Sequence, residues 1–129
     1  MPKREATYSQ IISPEDFCKI NTEQHLYISG SDERIKNLII EESKTRTVKE
    51  VVEIGCGPAR ILPFIGTIPG IKFTGIDHDA EFVAYARKKV QSTNIDVQVA
   101  DAANFRKDTA VDIFYSQGVH HHIAKGKTY

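Results

Sequence analysis

The residues best suited to chemistry stand together at the end of an apolar run. Val51-Val52-Glu53-Ile54 leads directly into Gly55-Cys56-Gly57-Pro58-Ala59-Arg60, the pattern of a buried strand that turns tightly and enters a helix. Glycines at 55 and 57 let the backbone turn and approach a ligand with no Cβ in the way, and Pro58 suits the first turn of the helix that follows. A nucleotide-like ligand sits at such a junction. A dinucleotide loop reads G-x-G-x-x-G, its last glycine letting helix and strand pack beneath a pyrophosphate, but here that position is Arg60. The loop therefore suits a nucleoside without a pyrophosphate, and a nicotinamide-dependent oxidoreductase is disfavoured.

Two further groups extend this chemistry. Asp77 closes a second apolar run, Ile71 to Ile76, and stands 20 positions after Gly57. A Rossmann-like unit places an acid at that interval, at the end of its second strand, where two acceptor oxygens match two neighbouring ribose hydroxyls. Asp79 is then left to cap the next helix. Near the C-terminus, His120, His121 and His122 are adjacent, so their side chains cannot all converge on one ion, and no spaced Cys or His supports them as ligands. No metal site is expected. A histidine there is instead a candidate general base, with a reference pKa of about 6.5.

Glu53-Ile54-Gly55-Cys56-Gly57 resembles the first motif of class I S-adenosylmethionine-dependent methyltransferases, and three more segments of that family follow in order. Gly75-Ile76-Asp77 resembles the ribose-binding strand end. Val97-Gln98-Val99-Ala100-Asp101-Ala102 resembles the segment that reads the adenine amino group, and Val111-Asp112-Ile113-Phe114-Tyr115-Ser116-Gln117-Gly118-Val119-His120-His121 resembles the fourth strand and the loop after it. The resemblance implies S-adenosyl-L-methionine as cofactor, held by Glu53, Gly55, Cys56, Gly57, Asp77, His78, Asp101, Ala102, Ser116 and Gln117. Glu53 would be an acceptor near the positively charged methionine end, Asp77 would take the ribose, and His78 would stack on adenine. Asp101 and the Ala102 backbone would read its amino group. His120 and His121 are the implied candidates for catalysis.

Methyl transfer from a sulfonium is an in-line displacement with a good leaving group, so alignment and exclusion of water matter most and no catalytic triad is required. The segment Ser116-Gln117-Gly118-Val119 lacks the [D/N]-P-P-[Y/F] pattern that grips a planar amine, which favours a small-molecule acceptor over a nucleic-acid base. The alternative is a cofactor-binding fragment or regulatory module without turnover.

These residues need a scaffold. From residue 49 the pattern predicts strands at 50–54, 71–76, 96–100 and 111–116, with helices at 59–66 and 79–91, the first of them shortened or kinked by Pro63. Alternation of this kind makes a parallel sheet with right-handed crossovers. The expected fold is α/β, a Rossmann-like parallel sheet with flanking helices, carrying about four of the seven strands of the resembling family. Two N-terminal helices precede it. Ser13-Pro14-Glu15-Asp16 starts one, with Phe17 and Ile20 on its apolar face. Ser31 or Asp32 caps the other, whose Ile35, Leu38 and Ile39 form an inward stripe. Residues 1–46 are thus expected to form a helical cap, with Tyr8 and Tyr27 as pocket candidates, and residues 47–129 the cofactor domain.

Composition narrows the setting. The 129 residues carry 17 basic and 17 acidic side chains, which gives no electrostatic footprint for nucleic acid or an anionic membrane. Two cysteines, Cys18 and Cys56, are too few for a disulfide framework, and a reducing cytoplasmic location is expected. No apolar run approaches the length of a membrane span. A fourth strand left at the sheet edge is open to self-association.

Overall fold

The computed structural model describes residues 30–107 and 109–116, together with Ser13 and Glu15. The first expected helix beyond those two positions, Tyr8, Cys18, Tyr27 and the stretch from Gln117 to His122 lie outside the described residues. The elements are α1 (Gly30–Thr45), β1 (Glu50–Ile54), α2 (Leu62–Ile65), β2 (Lys72–Asp77), α3 (Ala80–Lys89), β3 (Ile95–Val99) and β4 (Ile113–Ser116). The four strands form one parallel sheet in the order β3-β2-β1-β4, the Rossmann-like α/β arrangement expected.

The chain runs outward from β1 through β2 to β3, then returns to place β4 on the other side of β1. Right-handed crossovers stack the helices on one face. There Val51, Phe73 and Val97 meet Leu62, Ile65, Val83, Ala86 and Ile39 in the larger core. On the opposite face Val52, Ile54 and Ile76 are covered by Ala100, Ala102, Phe105 and Val111 from the segment that leads back to β4. Asp112 pins the start of β4. Its carboxylate accepts from the backbone N–H of Lys49 at 2.7 Å and of Glu50 at 3.0 Å, and Arg46 donates to its carbonyl at 2.8 Å.

The helices follow their local signals unevenly. At α3, Asp79 caps as expected by accepting from the N–H of Glu81 and Phe82; Phe82, Val83 and Ala86 are buried, and Arg87, Lys88 and Lys89 occupy the last turn, where cations suit the dipole. α2 is only four residues long, not the 59–66 helix the sequence predicts. Ala59 takes a left-handed φ of 61°, which no helix accommodates, and the helix begins only at Leu62 with Pro63 in its first turn. Pro58 accordingly lies in a turn, not in a helix. α1 begins at Gly30, ahead of both expected caps, and the Asp32 carboxylate is engaged by Arg60. Leu38 does not join the inward stripe: it is 56% exposed, as is Phe114 of β4 at 53%, the two lining an apolar groove between α1 and the sheet edge. Among the described residues no helix is long and apolar enough to cross a membrane.

Close packing beneath the glycine turn depends on Gly75. A Cβ there would lie 2.5 Å from Leu62 Cδ1 and 2.9 Å from both Cβ and Sγ of Cys56. Gly75→Ala is expected to lower stability by about 1–3 kcal/mol through overpacking, read as a lower midpoint in thermal melting, whereas an unchanged midpoint would show that the turn relaxes freely.

Candidate functional site

The C-terminal ends of β1, β2 and β4 meet where strand order reverses, the place where open parallel sheets leave a crevice for ligands. The turn after β1 crosses the end of β2 there. Gly55 N–H and Cys56 N–H both donate to the Ile76 carbonyl, at 2.8 and 3.0 Å. Gly55 and Gly57 have φ of 70° and 55°, values that glycine adopts without steric cost.

Asp77 holds this turn in place. Its Oδ2 accepts from Gly57 N–H at 2.9 Å and its Oδ1 from Asp79 N–H at 2.8 Å. An ionised carboxylate offers about four acceptor sites, so each oxygen can still accept from a ligand hydroxyl. The adjoining His78 is about half exposed, its Nδ1 3.8 Å from Asp77 Oδ1. Asp101 follows β3 at the same end of the sheet and is exposed, its Oδ1 accepting from Ala103 N–H at 2.9 Å. Ala102 packs against the Val52, Ile54 and Ile76 cluster, and Ser116 pairs with Ile54 at the end of β4. Gln117, His120 and His121 lie outside the described residues.

The electrostatics under the turn centre on Glu53. It is 4% exposed, and the Tyr115 hydroxyl is the group beside its buried carboxyl. Burial pushes its carboxyl up to about 8; Arg60 opposes that rise, while Asp32 and Asp77 add to it. The same burial, followed by the Glu53 and Asp77 charges, raises the Cys56 thiol well above its ordinary value. Cys56 is therefore a packed thiol and not a thiolate nucleophile. Among the described residues no group of three His, Cys, Asp or Glu side chains is placed to hold a metal ion.

Sequence reasoning missed two participants. Arg60 figures there only as a replaced glycine, yet it reaches back 28 positions to Asp32, with Nη1 on Oδ2 at 2.9 Å and Nη2 on Oδ1 at 3.1 Å. This two-pronged pair ties α1 to the glycine turn. Tyr115 reads in the sequence as one more apolar strand residue, but it pairs directly with Glu53 and its buried hydroxyl interacts with the Glu53 carboxyl. An apolar run with a polar tip at one position is the one signal that could have flagged it.

Comparisons with known proteins bear on this site. Residues 51–128 match the family model described as a methyltransferase domain. No curated protein sequence matches the chain. A candidate S-adenosyl-L-methionine-dependent methyltransferase from Methanococcus maripaludis overlays with a TM-score of 0.74 at 15% identity, covering 98% of this chain and 57% of its own. A SAM-dependent methyltransferase from Aquifex aeolicus overlays at 0.66 and 20% identity, covering 88% and 61%. A third, from Thiobacillus denitrificans, solved with S-adenosyl-L-homocysteine, overlays at 0.53 and 20% identity, covering 77% and 42%. The chain thus spans between two fifths and just over three fifths of these structures.

Two outcomes test the site's electrostatics. Arg60→Met removes the guanidinium from a carboxylate that is 0% exposed and is expected to cost about 2–3 kcal/mol, below the range for fully buried pairs because Arg60 is partly exposed; a change under about 0.5 kcal/mol in urea denaturation would contradict the pair's role. Glu53 binds its proton more tightly folded than unfolded, so it makes stability fall as pH rises from about 4.5 to about 8 and then level off. Glu50, paired with Lys107, and Asp112, held by two backbone N–H groups, are shifted downward and act oppositely at lower pH. Melting temperature should therefore peak near about pH 5, and Glu53→Gln should flatten the decline above it.

Proposed function

The chain belongs to the methyltransferase-domain family, and from that premise we propose that residues 47–129 bind S-adenosyl-L-methionine and serve methyl transfer to a small-molecule acceptor, with residues 1–46 as a helical cap. The observation that carries this reading is the Asp77 carboxylate, fixed by two backbone N–H groups at the lip of the glycine turn with acceptor capacity remaining on both oxygens.

The residues present fit such a nucleoside. Gly55 and Gly57 present backbone without side chains to the crevice, and Asp77 can accept from a ribose diol. Glu53, Asp32 and Asp77 gather around the turn, and the one guanidinium among them is already engaged by Asp32. That balance suits a ligand bearing positive charge and disfavours a pyrophosphate. His78, Asp101, Ala102, Ser116 and Gln117 complete the proposed contacts.

When bound, the cofactor supplies an electrophilic methyl group on a sulfonium. The chain's own contribution is to orient it and keep water away. His120 and His121 remain the proposed candidates for deprotonating the acceptor. Equal numbers of acidic and basic residues support a small molecule over nucleic acid, and the low cysteine count supports a cytoplasmic setting.

Isothermal titration with S-adenosyl-L-homocysteine tests the reading. Micromolar binding is expected for the wild-type chain. Asp77→Ala, which removes two charge-assisted contacts to the ribose, should weaken it about 100-fold. A folded chain that ignores this ligand, or that binds NAD more tightly, would overturn the assignment.

A further inference from the structure

One register row crosses the sheet on its helical face: Tyr115 on β4, Glu53 on β1, Gly75 on β2 and Val97 on β3. Paired residues of parallel strands project to the same side. Gly75 has no side chain, so Tyr115 is the one side chain beside Glu53 in that row. Glu53 Oε1 and the Tyr115 hydroxyl are both buried, neither is bonded to any other group among the described residues, and the two lie close enough to interact with each other. Two such atoms side by side are costly, and they are complementary, one an O–H donor and the other a carboxyl acceptor. Resting on the cofactor reading above, we propose that Tyr115 is a positioning residue for Glu53, its hydroxyl holding the Glu53 carboxyl toward the α-ammonium of the cofactor's aminoacyl end at the glycine turn.

The surroundings of Glu53 explain why its carboxyl holds a proton. Arg60 from the turn, Asp32 from α1, Asp77 from β2, Cys56 from the turn and Tyr115 from β4 face it. They bring one cation against two further carboxylates, and Arg60 is bonded to both oxygens of Asp32. Burial then keeps the Glu53 proton in place at neutral pH. The α-ammonium of the aminoacyl end, placed against the carboxyl, favours its ionised form, so the proton leaves to solvent and the carboxylate becomes the stronger acceptor for the Tyr115 O–H. Affinity accordingly rises with pH up to about 8 and is level above it.

Calorimetry of the 129-residue chain in buffers of different ionisation enthalpy reads this directly, because the slope of observed enthalpy counts protons. S-Adenosyl-L-homocysteine should release about one proton per site at neutral pH, and 5′-methylthioadenosine, which lacks the aminoacyl end, about none. Tyr115→Phe should weaken the first ligand about 3- to 10-fold and leave the second unchanged; Glu53→Gln should abolish proton release. Equal affinity of Tyr115→Phe and wild type for S-adenosyl-L-homocysteine overturns the proposal. If that variant fails to melt cooperatively, the wild-type pH profile decides: tighter binding at about pH 8 than at about pH 6 supports it, and no change overturns it. A folded chain that binds neither nucleoside overturns the cofactor reading and this proposal with it. Binding of both with no proton released overturns this proposal alone.

Discussion

A single carboxylate holds the working end of this molecule together. Asp77 ends β2, yet its two oxygens fasten the turn after β1 and the entry to α3. Two crossovers are thereby registered against one another at the place where the sheet opens. Backbone N–H groups at such a turn have no partner within a strand or helix, and leaving them unpaired on folding would be costly. Asp77 satisfies them and fixes the turn's shape in the same step. The left-handed conformations at Gly55, Gly57 and Ala59 become tolerable because the turn is anchored at both ends.

Beneath that anchor the molecule accepts an electrostatic cost. Glu53 is buried in the strand that both β2 and β4 flank, with Asp32 equally buried nearby. Arg60 offsets part of the charge but is drawn to Asp32 through two hydrogen bonds. A core built for stability alone would place apolar side chains here. Local violation of the burial rule is characteristic of a ligand site.

The parts legible in the sequence were those with local causes. β1, β2 and α3 announced themselves through apolar runs, an acid at the strand end and a capping aspartate, and each lies within one or two residues of its expected place. The Gly55, Gly57 and Asp77 cluster was legible because one interval and two glycines encode it. α2 was overextended because nothing local marks Ala59 as left-handed; tertiary packing sets that angle, since Ala59 is wholly buried. Leu38 fits a helical stripe, but α1 meets the core over a narrower arc than the stripe covers. The Asp32 to Arg60 pair and the Glu53 to Tyr115 juxtaposition were invisible, because each joins residues brought together only by the completed sheet.

Strand order also bears on how the sheet assembles. β1 finds β2 across about 22 residues of chain, as in Val51 with Phe73, whereas β4 returns to β1 across about 62, as in Val51 with Ile113. Closing the longer loop costs about 1 kcal/mol more in chain entropy, and its strand is one residue shorter than β1. The β1-α2-β2-α3-β3 half therefore has the lower barrier to forming first, and β4 docks onto an existing edge. The Asp112 clamp on Lys49 and Glu50 offsets that disadvantage at the first residues to meet. Because β4 carries Tyr115, the strand with the longest return also completes the surroundings of the buried Glu53 carboxyl.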